Sequence, residues 1–419
     1  MVVAPVNVKA NFLSCCGIVA LVNNDSEMRK KETLMKFIKV LASAAVAAAL
    51  IVCAAGTQIL AYATRDAGTI VVDGKTFSSA KNCKGENWKY DAKSRTLSLD
   101  GYDGMYIDLG HQEEEAVIEL SGTNKVISNV EAPAIQVEGD LTIRGEGSLD
   151  LQVTSCHSAV YAKNGDLTVD HCKLDAGGHG DVADSAYLLM ADGDVTISGA
   201  NISIQDEING TGGAVGSLKG NILINDGTAM SIFSRSKALT SFAGAVRIEG
   251  SSTSAELFAT ESAIYAKTEI TVTGAKSVRA ESNKTDSTAV YCPEGTITIS
   301  ETPVDIASSG AAIAGKNIEI RGGYISDPFD AEMKEVSGMI SVVLDTDVVK
   351  EAHIQTGVKP TATPTPSPTP TPVPTATPTP EPSENTGFQI TPRMMIGGGM
   401  VVIALVVIAV LIIGKMRSR

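Results

Sequence analysis

Tyrosine and aspartate recur at matching places in this 419-residue chain, and those places are where chemistry would lie. In Ala159-Val160-Tyr161-Ala162, alternation turns Val160 and Ala162 inward and Tyr161 outward. Tyr265 and Tyr291 hold the same position in their own copies of the pattern. Two such rings side by side would make a flat apolar strip with hydroxyls at its rim, suited to the apolar face of a sugar ring. The plainer role is mutual stabilisation of cross-strand neighbours. Asp140, Asp166 and Asp194, joined by Asn221 and Asn317, share one turn position. Carboxylates stacked at the sheet spacing of about 5 Å repel, which raises their pKa or recruits a cation such as calcium. Their plainer role is that of turn residues bonded to nearby backbone. Asp181, Asp184 and Asp192 lie in the adjacent loop, and Glu113-Glu114-Glu115 forms a further acidic run.

Nucleophile and acid–base patterns are weaker. His157, His171 and His179 cluster in sequence, two of them in expected loops. Gly178-His179-Gly180 resembles a polygalacturonase element, but that family also needs paired aspartates upstream and Arg-Ile-Lys downstream. No Asp-Asp pair occurs here, and the later Arg-Ile continues as Arg247-Ile248-Glu249. A hydrolase needs two carboxyls flanking the bond, and a lyase needs a base to take the proton. No catalytic residue is therefore assigned. Of seven cysteines, Cys83, Cys156, Cys172 and Cys292 belong to the expected mature chain. No CxxC pair marks a zinc site. Cys172 and Cys292 should face inward as small buried thiols.

The elements that would position these residues form a repeat. Gly139-Asp140-Leu141-Thr142-Ile143 returns as Gly165-Asp166-Leu167-Thr168-Val169 and Gly193-Asp194-Val195-Thr196-Ile197. Looser copies begin at Gly220, Gly244, Thr268, Gly295 and Lys316, at steps of 21 to 28 residues. Self-similarity at this period marks a solenoid. Alternating apolar residues within each copy indicate strands, and Gly, Asn, Asp and Ser every few residues indicate tight turns. The expectation is all-β: a right-handed parallel β-helix of eight to ten coils, each with two or three short strands. A cap at residues 64–115 carries strands near 69–72, 88–90 and 96–99, and the repeats occupy 116–330. A second cap at 331–359 holds a strand at 340–344. Trp88 either fills the first cap or offers a sugar platform.

Composition agrees. The chain is 43% hydrophobic but only 4% aromatic, with 39 glycines, which fits narrow coils better than a core built on large rings. A net charge of −14 argues against nucleic acid as a partner, since polyanions are bound by Lys and Arg. The ends predict an address. Lys36 and Lys39 precede an apolar run at 40–55 and then Ala61-Tyr62-Ala63, the layout of a signal peptide over 35–63. Residues 1–34 form an upstream extension with no assigned role. Residues 360–393 are a Thr/Pro-rich linker; its prolines fix an extended rod at about 3.1 Å per residue. Residues 394–414 carry no charge and are long enough, at about 31 Å, to cross a bilayer as a helix. Lys415, Arg417 and Arg419 place the 415–419 tail in the cytoplasm, and the repeat domain outside.

The repeat phrases, Leu120-Ser121-Gly122-Thr123-Asn124 and the opening Trp88-Lys89-Tyr90-Asp91 with Thr96-Leu97-Ser98-Leu99 carry a resemblance. Over residues 68–330 the chain resembles the extracellular carbohydrate-binding-domain proteins of clostridia and related bacteria, which look like pectate-lyase-type β-helices. That resemblance implies glycan binding with calcium, though no ligand set matches residue by residue. The expected function is a cell-surface-anchored, non-enzymatic module that binds a polysaccharide or cell-surface glycan, or acts as an adhesin. A structural stalk without a small ligand is the first rival, and a polysaccharide lyase or hydrolase the second.

Overall fold

The computed structural model describes residues 68–129, 132–154, 158–181 and 186–360. The extension at 1–34, the signal peptide at 35–63, the linker beyond Pro360, the span at 394–414 and the tail at 415–419 lie outside the described residues. So do Cys156, His157 and Asp184. The described residues contain no helix, and so none long and apolar enough to cross a membrane.

Period-two alternation becomes strand wherever it occurs. One coil runs through Ile135–Glu138, Leu141–Arg144 and Ser148–Val153, which define a first, second and third face. The next coil repeats this as Val160–Lys163, Leu167–Asp170 and Lys173–Asp181. Each strand pairs in parallel with its equivalent one coil on. On the second face Leu141 lies opposite Leu167, Leu167 opposite Val195, and Val195 opposite Ile222. On the third, Leu149 lies opposite Leu174, and Leu174 opposite Ile202. The described residues thus form an all-β parallel solenoid of about nine turns with three strands to the coil.

The inward columns make one continuous core. Leu141, Leu167, Val195, Ile222 and Val246 are all buried to within 1% of completely, as are Ile143, Val169, Ile197, Ile224 and Ile248 behind them. A single coil would leave both edges of these side chains in water; each neighbour covers one. Burying such a side chain contributes roughly 1.5–3 kcal/mol, and that term recurs at every level of the stack. Cys172 and Cys292 are buried as expected, the latter in the first-face column that also holds Ala266 and Gly315.

The ends close by antiparallel pairing, which uses up exposed strand edges. Thr69–Val72 and Lys75–Ser78 form a hairpin lying on Ile107–His111, and Trp88–Asp91 pairs with Thr96–Asp100. Thr96–Asp100 pairs in parallel with Ala116–Ser121, so the stack begins inside the segment expected as a cap and not at residue 116. Trp88 is buried, edge-on to Phe77 at 5.3 Å, which makes it packing for this end. At the other end Met339–Leu344 lies on Ala311–Arg321, and Glu351–Thr356 lies on Val304–Ser308.

Glycine leads the repeated phrase because successive coils cross closely at that corner. A Cβ on Gly165 would collide with the Gly139 carbonyl, and one on Gly244 with the Gly220 carbonyl. Ile197→Ala, at the middle of the second-face column, should cost about 2–5 kcal/mol. Hydrogen exchange should show protection lost in the coils on either side. A loss below about 1 kcal/mol would mean that the column does not carry the fold.

Candidate functional site

The aspartate column is assembled as the spacing predicts, and each carboxylate turns toward backbone. Asp140 Oδ1 accepts the Asp166 N–H at 2.9 Å, and Asp166 Oδ1 accepts the Asp194 N–H at 2.7 Å. Asp194 Oδ1 takes the Asn221 N–H at 2.6 Å, and Asn221 Oδ1 takes the Ala245 N–H at 2.9 Å. This is a side-chain ladder in which each coil caps an amide of the next. Glycine and aspartate stand together in the phrase for one reason: the first allows the close crossing, the second satisfies the amide it exposes. Among the described residues no group of three or more His, Cys, Asp or Glu is arranged to hold a metal ion.

The three tyrosines all project from the outer side of the first face, but their surroundings differ. Tyr161 lies opposite Met190 of the next coil and is only 3% exposed. Its hydroxyl donates to Asp192 at 2.8 Å, whose carboxylate also faces the Lys219 ammonium at 3.6 Å. Tyr187 lies across Gly213 and Gly216, where a Cβ would strike its ring, and meets Phe242 edge-on at 5.7 Å. Tyr161, Tyr187 and Met190, with Leu218 and Phe242 against them, form a second small core outside the coil. Tyr161 therefore offers no ring face to solvent.

Tyr265 and Tyr291 lie beyond that seal, directly opposite one another on adjacent strands and partly exposed. Their centroids are 5.8 Å apart and their planes inclined by 54°. The strip is therefore not flat, as the sequence suggests, but a tilted pair. Burial pushes both phenols above their ordinary pKa, so each keeps its proton at neutral pH and can donate.

Beside the pair runs an ion triad that the sequence analysis does not identify. Glu261 Oε2 lies 3.1 Å from Lys237 Nζ, and its Oε1 lies 2.6 Å from Lys284 Nζ. Burial alone would raise the Glu261 pKa, but the two ammonium groups outweigh it and hold the carboxyl below its usual range. Burial likewise opposes the Lys237 charge, and the neighbouring Tyr187 and Glu261 oxygens more than offset it. The signal was available in sequence: the three charges are spaced by about one repeat, 24 and 23 residues apart, with alternating sign.

A second aromatic strip was also open to detection. Ser231-Ile232-Phe233-Ser234 and Glu256-Leu257-Phe258-Ala259 alternate like the tyrosine segments, with Ile232 and Leu257 inside. Phe233 and Phe258 lie opposite each other on the outer side of the third face. The Arg279 guanidinium stands 5.2 Å above the Phe258 ring and pairs with Glu281.

Among the described residues, His171 and His179 lie on different parts of the coil. His171 sits at the corner between second and third faces, exposed, with Asp170 at 2.6 Å and Asp226 at 3.6 Å; Asp170 chiefly raises its pKa. His179 lies on the third-face strand Lys173–Asp181, opposite Glu207. Cys83, Cys172 and Cys292 are free thiols. Burial pushes Cys172 up to about 12 and Cys292 up to about 11, so neither forms the reactive thiolate at neutral pH.

A family model described as carbohydrate-binding domain-containing protein matches residues 48–328. No curated protein and no solved structure matches the chain.

Because the Glu261 pKa is depressed in the folded state, its stabilising contribution is present above the ordinary glutamate pKa. That contribution is lost as pH falls through the lower, folded value. Glu261→Gln should lower the melting temperature at pH 7 by about 2–4 °C. The gap from the parent protein should close below about pH 4. An unchanged gap at pH 3 would show that the charge of Glu261 is not what it contributes.

Proposed function

We propose, from the premise that the chain belongs to the carbohydrate-binding domain-containing family, that its solenoid is a glycan-binding module whose first-face contact is Tyr265 and Tyr291. The observation that carries this is the partly exposed ring pair held on two adjacent strands with the Lys237–Glu261–Lys284 triad alongside. The rings supply apolar contact for the carbon-bound hydrogens of a sugar, and their protonated hydroxyls, with the triad, supply hydrogen bonds for its oxygens. Both strands are pinned by ladders on either side, so the rings need little ordering when ligand arrives.

The rival readings fit less well. A stalk without ligand would need only Ser, Thr and isolated charges on its outer strands, whereas aromatic pairs stand on two faces. Hydrolysis or elimination would need a carboxylate or base free to move a proton, and Glu261 is held ionised between two lysines. Surface display is part of the proposal. It rests on the signal-like segment at 35–63, the Thr/Pro linker and the apolar run at 394–414. Calcium has no part in the proposed contact, because Asp140, Asp166 and Asp194 already serve neighbouring amides.

A glycan array probed with the full chain tests this directly. Binding is expected, and Tyr265→Ala with Tyr291→Ala should weaken it at least tenfold while the melting curve barely moves. Chelator should leave it unchanged. If no glycan binds, the proposal fails; if binding survives the double substitution, the contact lies elsewhere; if chelator abolishes binding, the metal-free account is wrong.

A further inference from the structure

Resting on the glycan-binding reading, we infer that the tyrosine pair takes a single dissolved chain of extended, twisted form, two consecutive units on two rings. The flat face of a crystalline fibre is excluded. Length is the first reason. The outward column of the first face runs Gly216, Thr240, Tyr265, Tyr291, Ala314, each directly opposite the next on successive strands. Thr240 is fully buried and Ala314 is only 3% exposed, so the open part of this column is two rings long. A crystalline surface is held by several rings laid in one plane, because each contact is small and the flat face adds no enclosing wall.

Spacing and inclination are the others. The ring centroids lie 5.8 Å apart, close to the advance per unit of an extended, equatorially linked pyranose chain. One chain can therefore set consecutive units on the two rings, whereas an axially linked chain curls and carries its second unit away. The ring planes differ by 54°. In the flat ribbon that polysaccharides adopt in crystalline fibres, consecutive units lie parallel, and such a ribbon fits one ring or the other. A chain that turns by a third of a revolution per unit presents consecutive planes at nearly the observed inclination, and β-1,4-linked xylan in solution is such a chain. The strand Ser262–Ala266 under Tyr265 pairs with Lys237–Ser241 on one side and Thr288–Ser300 on the other. The strand Thr288–Ser300 under Tyr291 pairs in turn with Ala311–Arg321. The backbone beneath both rings is thus fixed before ligand arrives. A second unit, joined to the first, then binds without a separate loss of translational freedom.

Calorimetry on the full chain with xylose and xylobiose, and a pull-down on crystalline cellulose, test the inference. Xylobiose should bind at least tenfold tighter than xylose. Tyr265→Ala and Tyr291→Ala, made singly, should each remove that gain while the melting curve barely moves. Cellulose fibres should retain the parent protein no better than the double variant. Absent binding of xylobiose, equal affinity for the two sugars, or a gain that survives either single substitution would overturn the inference. Fibre retention that the double variant loses would overturn it too, by showing the pair at work as a flat strip, and would leave the glycan-binding reading standing. Failure of every glycan on the array would remove that reading, and this inference with it.

Discussion

Everything in this molecule depends on parallel pairing without slip between successive coils. A one-residue shift in a strand would send its buried side chains to the solvent face, because the side-chain period is two. Leu141, Leu167, Val195 and Ile222 can remain buried only while each sits directly over the last. The aspartate–amide bonds at the neighbouring corner repeat at the same interval and join the same coils. Apolar burial supplies the driving force, and the corner bonds give each crossing a charge-assisted hydrogen bond at a fixed register.

The same constraint writes the outer surface as columns. A residue type that recurs outside the coil is placed beside its own kind one strand on, so two aromatic residues a repeat apart become a pair whether or not they serve a ligand. What separates Tyr161 from Tyr265 and Tyr291 is therefore not orientation but what comes next in the column. After Tyr161 comes Met190, with Tyr187 folding over the glycines beyond, and the ring is sealed. After Tyr265 comes Tyr291, and both stay partly open.

Much of this was legible in the sequence, for a physical reason. Alternation and turn residues are local, and a solenoid is built almost wholly from local pattern plus translation, so the strands, the stacking and the inward cysteines could be read from period alone. The ends could be read only in outline, since Thr96–Asp100 joins the parallel stack by a pairing that no repeat phrase announces. Burial of Tyr161 was not legible either. It depends on Tyr187, which stands outside the repeated phrase and covers a column it does not belong to. The tilt of 54° between Tyr265 and Tyr291 is likewise set by neighbours across coils, not by spacing along the chain. The Phe233–Phe258 pair and the Lys237–Glu261–Lys284 triad carried their signal at the repeat interval; they become visible once the search runs over all outward positions, not over tyrosine and aspartate alone.

The two strips differ in local charge, and that difference bears on what a rigid acidic solenoid can hold. Beside Tyr265, two ammonium groups flank one carboxylate, leaving positive charge in excess. Beside Phe258, the charges of Arg279 and Glu281 cancel. Over a molecule of net charge −14, the long-range force on an acidic polymer is repulsive, and it is screened beyond about 8–10 Å in physiological salt. Under the glycan-binding proposal, selection at the tyrosine pair is then made at contact, by the charge adjoining the rings. Because both pairs are fixed to the same stack of coils, their spacing is as constant as the strand ladder itself.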